Sequence, residues 1–167
     1  MASCLLAAFP VPGHANGTGC DLLPTADIEQ LTGLSLSDAK ATRLNNCNGP
    51  CDSSDGWECE YDATDGSSAR LFIDVYFPPF TQRDPLALWR VEQGGRRDAG
   101  REVAAVDVAG VGTVAVWTYK TVLQQDAGIL FAADGQRLHL EVSTVNIAQE
   151  PGLKDAKAIA TLVLSRF

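Results

Sequence analysis

Two histidines occur in the chain, His14 and His139. His14 falls in the first 19 residues, so His139 is the imidazole available for acid–base chemistry. A nucleophilic triad needs that ring, a serine and an acid to meet in space. The nearest approach to a nucleophile elbow, Gly33-Leu34-Ser35-Leu36-Ser37, lacks the final glycine. Leu138 and Leu140 alternate with His139 and Glu141. Strand alternation therefore predicts that His139 and Glu141 face outward, as solvated polar residues. A secreted hydrolase using His139 with acidic neighbours is the enzymatic alternative.

Acidic residues cluster at Asp52, Asp55, Glu58, Glu60, Asp62 and Asp65. Calcium takes six to eight oxygen ligands, but the Asp-x-Asp-x-Asp-Gly spacing of a calcium loop is absent. Alternation puts Glu58, Glu60 and Asp62 together on the solvent side of one strand. Two such carboxylates are the equipment of a glycosidase, yet the same spacing describes a solvated acidic face. Gly110-Val111-Gly112 lacks the third glycine of a dinucleotide fingerprint and the Lys-Ser/Thr of a phosphate loop. It reads as a turn. No catalytic set, metal site or cofactor is predicted.

Five cysteines are present, and Cys20, Cys47, Cys51 and Cys59 lie within one 40-residue stretch. Four clustered cysteines in a small domain point to two disulfides and an oxidising compartment, with three pairings open. The favoured pairing has Cys47–Cys51 close a tight loop and Cys20–Cys59 tie the start of the domain to its first strand. The rival is a zinc site. Cys47 and Cys51 have the spacing of one zinc knuckle, but Cys20 and Cys59 do not form a second.

The elements that must position these groups follow from periodicity. Residues 26–32 read as a short helix capped by Thr25 and stopped by Gly33. Residues 57–63 and 67–77 read as a hairpin around Thr64-Asp65-Gly66, with Leu71, Ile73, Val75 and Phe77 inward. Residues 85–93 suit a helix opened by Asp84 and Pro85. Strands are expected at 103–108 and 113–120. A second hairpin, 127–133 and 136–143, turns at Asp134-Gly135. Apolar residues Ala156, Ile159, Ala160 and Val163 mark a helix over about 153–165. The fold class is α+β: an antiparallel sheet with helices packed on one face. Helix, then Asp-Gly hairpin, occurs twice, a hint of two pseudo-repeated halves.

The chain has 167 residues, 13 Lys+Arg and 21 Asp+Glu, giving a net charge of −8. An acidic surface is a poor match for nucleic acid or anionic membrane, and no apolar run reaches the roughly 20 residues of a transmembrane helix. Residues 1–19 are read as a leader or tail. Leu5 to Val11 resembles the end of a signal peptide, with cleavage after Ala15. Ala2-Ser3-Cys4 is alternatively the stub of a lipoprotein signal, with a lipid anchor at Cys4. Residues 20–167 form a single disulfide-bonded α+β domain. Trp89, Trp117 and Tyr119 are the candidate ligand-binding residues, chosen because amphipathic aromatics line binding clefts.

Cys20-Asp21-Leu22-Leu23-Pro24-Thr25, with Ile28 to Gly33 after it, resembles the opening of small secreted actinobacterial lipoproteins of unknown function. Cys59-Glu60-Tyr61 resembles their second cysteine and its following aromatic. Val108 to Gly112 with Ala115-Val116-Trp117, and the ending Ala156…Ala160-x-x-Val163-Leu164-x-x-Phe167, fit the same pattern. The pair Cys47/Cys51 lies outside it. The resemblance implies an architecture related to the extracellular sensor domains of bacterial Ser/Thr kinases, which are disulfide-bonded α+β modules with a cleft. It carries no catalytic residues. The expected function is a non-enzymatic exported cell-envelope domain, secreted or periplasmic, that binds a small ligand or protein partner. The remaining alternative is a structural envelope protein without a ligand.

Overall fold

A computed structural model describes residues 19–44, 55–77, 105–122, 124–135 and 137–166. Cys4, Cys47, Cys51, Trp89 and the expected helix at 85–93 lie outside the described residues. The elements run from a short 3₁₀ turn, Gly19–Leu22, into α1 (Thr25–Thr32), β1 (Lys40–Leu44), β2 (Asp55–Asp62) and β3 (Arg70–Phe77). They continue through β4 (Val106–Asp107), β5 (Val114–Val122), β6 (Gln125–Asp134), β7 (Leu138–Val145) and α2 (Gln149–Arg166).

Among the described residues seven strands make one sheet in the order β1-β2-β3-β7-β6-β5-β4, and each of their pairings is antiparallel. The class is α+β. Both Asp-Gly hairpins form where the sequence predicts them. Gly66 and Gly135 hold φ of 85° and 56°, backbone that a side chain adopts only at a cost. The first turn is longer than two residues: Ala63 donates its N–H to the Ala69 carbonyl, and Ser67 N–H reaches Asp65 Oδ1. Between β4 and β5, Gly112 has φ of 58°, and a Cβ there would stand 2.3 Å from the Ala133 carbonyl oxygen. The Gly110-Val111-Gly112 segment is thus a turn.

Several details differ from the sequence-based expectation. Thr25 does not cap α1. It is the first helical residue, follows Pro24, and donates its hydroxyl to the Ser37 carbonyl. Gly33 does end α1, with φ of 73° and its N–H on the Glu29 carbonyl. β1 is an additional strand. Helix α2 starts before residue 153, because Pro151 falls in its first turn, where a missing N–H costs nothing.

One core unites the layers. Leu71, Ile73 and Val75 of β3, Leu130 and Ala132 of β6, and Leu138, Leu140 and Val142 of β7 are buried. Ile28 of α1 and Ala156, Ile159, Ala160 and Val163 of α2 belong to the same cluster. Helix α2 packs on β6 and β7.

Two links staple the N-terminal segment to the sheet. Cys20 and Cys59 form a disulfide with Cα atoms 5.6 Å apart, the bond expected between these two cysteines. Tyr61, fully buried, donates its hydroxyl to the Leu23 carbonyl at 2.7 Å, and burial pushes its pKa well above the usual phenol range. Tyr61→Phe removes this bond and leaves the Leu23 carbonyl without its phenolic donor, so we expect a loss of about 1.5 kcal/mol. The check is a lower urea midpoint with an unchanged slope.

Candidate functional site

β5 presents Trp117 and Tyr119 on the core face of the sheet. Trp117 pairs with Leu130 and Tyr119 with Gly128. Their rings stack with centroids 6.5 Å apart and planes at 21°. Gly128 makes room for the indole: a Cβ there would be 2.1 Å from Trp117 Cη2. Gly152, in the first turns of α2, likewise faces Trp117 Cη2 and Thr144 Oγ1. Trp117 is 2% exposed, and its Nε1 has no hydrogen-bond acceptor among the described residues.

Tyr119 is half-buried. Its hydroxyl bonds the Asp126 carboxylate, which holds the Tyr119 pKa above the usual phenol range. Asp126 also accepts from Thr121 Oγ1 at 2.7 Å. That bond and the Tyr119 hydroxyl hold the Asp126 carboxyl below its usual range. The Gln149 backbone at the start of α2 bonds the same Tyr119 hydroxyl. Tyr119 therefore bridges the β5–β6 hairpin to the beginning of α2. Trp117 and Tyr119 come together at this seam, whereas the third candidate, Trp89, lies outside the described residues.

The opposite face of the sheet carries the ionisable residues. Glu58 of β2 sits opposite Asp74 of β3, Asp74 opposite Glu141 of β7, and Glu141 opposite Phe131 of β6. Tyr76 stands opposite His139. Directly opposed Cβ atoms are about 4.5–5.5 Å apart, and like charges so placed oppose pairing. Three carboxylates in a row, an imidazole and a phenol thus share one patch. Tyr76 donates its hydroxyl to Asp74 Oδ2 at 3.4 Å.

This patch corrects the expectation of a solvated His139. Alternation identifies its face correctly, away from Leu138 and Leu140. The face is buried nonetheless: His139 is 1% exposed, Glu141 2% and Asp74 9%. The reason is that Val116, Phe131 and Ala133 form a second apolar cluster on it, with Phe131 set edge-on to the His139 ring at 6.0 Å. His139 Nε2 lies 3.2 Å from the Gly135 carbonyl oxygen, its acceptor when that nitrogen carries the proton. The outer acids behave as expected of a surface. Glu60 pairs with Lys40 at 3.2 Å and with Arg70 at 3.7 Å, and Asp62 is exposed. Such exposed pairs contribute little to stability.

No family model, curated protein or solved structure matches this chain. Among the described residues, no group of three or more His, Cys, Asp or Glu side chains is arranged to hold a metal ion. None of the described helices is long and apolar enough to cross a membrane.

Sequence reasoning missed Asp155. It lies on α2 beside the apolar stripe and is buried. Desolvation raises its carboxyl pKa above the ordinary 3.8, against the opposing charge of Lys154. A raised carboxyl pKa means the folded state binds the proton more tightly than the unfolded chain. Its stabilisation is full below the ordinary value and is lost as pH rises through the raised value. At neutral pH Asp155→Asn, which has no charge to desolvate, is therefore the more stable protein. The advantage shrinks towards pH 4. Asp126 and Asp65, whose carboxyls are held low by hydrogen bonds, act in the opposite sense: their stabilisation is present above the ordinary range and fades as pH falls. The check is the wild-type minus variant difference in unfolding free energy across pH, in which those shared contributions cancel.

Proposed function

We propose that this chain is an exported cell-envelope domain that binds a small ligand, and that it works by binding rather than by catalysis. The reading takes the helices as lying on one face of the sheet, with two related helix-and-hairpin halves and the binding cleft at the seam between sheet and helix. The observation that carries it is the Trp117 indole N–H, buried and without an acceptor among the described residues. An unsatisfied buried donor costs roughly 1–3 kcal/mol, and a ligand that brings an acceptor to it recovers that energy on binding. The stacked Trp117–Tyr119 pair adds an aromatic platform beside the donor. The Cys20–Cys59 disulfide supports an oxidising compartment, since cytosolic proteins keep thiols reduced.

Binding is preferred over hydrolysis because of where His139 sits. His139 Nε2 lies 3.2 Å from the Gly135 carbonyl oxygen, which can only accept. That nitrogen therefore carries its proton and donates within the fold, so it is not the general base that a hydrolase would bring to a substrate proton.

The test is thermal unfolding of the full chain against amino acids, sugars, polyamines and cell-wall fragments. A true ligand present at 100 times its Kd raises the unfolding free energy by about 2.7 kcal/mol. Trp117→Phe keeps an aromatic ring but removes the donor, so affinity for that ligand falls tenfold or more, about 1.4 kcal/mol. A panel in which nothing shifts the transition, or a Trp117→Phe protein that binds as tightly as wild type, overturns the reading.

A further inference from the structure

We draw no further inference here: the strongest candidate, the row of carboxylates Glu58, Asp74 and Glu141 beside His139 and Tyr76 on the second face of the sheet, is an acidic cluster for which no second observation in the structure points to a ligand.

Discussion

The Cys20→Ala/Cys59→Ala double variant unfolds about 3–4 kcal/mol more easily than the wild-type chain, from the loop-closure entropy its bridge removes from the unfolded state. The bridge spans 39 residues of sequence, long enough for that entropy to be large. For a chain of this size the loss moves Tm by on the order of 10 °C. Both sulfurs are buried, so truncation to alanine also removes some packing, which adds to the loss. Reducing the wild-type protein separates the two: it breaks the bond and leaves the sulfur atoms in place. If reduction alone reproduces most of the shift in denaturant midpoint, the bridge acts on the unfolded chain. A shift below about 1 kcal/mol in both measurements sinks the prediction. It would mean that Tyr61 and the packing of Gly19 on Trp57 hold the N-terminal segment without help from the bond.

The disulfide also shows how far composition and spacing reach. Four clustered cysteines pointed to disulfides, and the expected Cys20–Cys59 bond is present, with Cys59 on the core-facing side of β2, opposite Ile73. The hairpins were readable for a similar local reason: Asp-Gly has few ways to sit between apolar runs except in a tight turn. β1 was not readable. Lys40-Ala41-Thr42-Arg43-Leu44 is an edge strand, exposed at every residue but the last, so no alternation of apolar residues marks it. Charged residues on such an edge discourage further pairing, which hides the strand from a hydrophobicity pattern.

The second face of the sheet was misjudged because a two-residue period tells which side a residue takes, and nothing about what covers that side. β7 lies between β3 and β6, and it is buried without a break from Leu138 to Val142. An interior strand of this kind is normally a continuous apolar run. Here His139 and Glu141 interrupt it, which made a buried strand resemble a half-exposed one. The insertion of β7 beside β3 is itself a long-range pairing that no local pattern announces. Aromatic residue type nominated Trp117 and Tyr119, and the structure brings their rings together. The glycines that seat the indole gave no signal, since a glycine in a strand or helix reads as a weak point.

Gly128→Ala tests that seat directly. In open space the change would stabilise a strand by roughly 0.5–1 kcal/mol, because glycine loses the most backbone freedom on folding. At position 128 the new Cβ meets Trp117 Cη2 at 2.1 Å, Trp117 Cζ2 at 2.4 Å and Thr144 Oγ1 at 2.8 Å. The indole has little room to yield, being 2% exposed and stacked on Tyr119. Overpacking of this kind costs about 3 kcal/mol, several times the entropic gain, so the sign is destabilising. The partner variant isolates the cause. Phenylalanine at 117 lacks the outer indole ring that carries Cη2 and Cζ2, so Gly128→Ala costs far less in a Trp117→Phe background. The double-mutant cycle then shows a coupling of about 2 kcal/mol, near the upper part of the range for residues in contact. A coupling near zero, or a Gly128→Ala protein as stable as wild type, would show that the indole edge does not rest on this glycine. The same pair bears on ligand binding. Gly128→Ala displaces the ring that carries Nε1, so a ligand held by that donor loses affinity in protein that is still folded. A ligand that ignores the displacement is bound somewhere else.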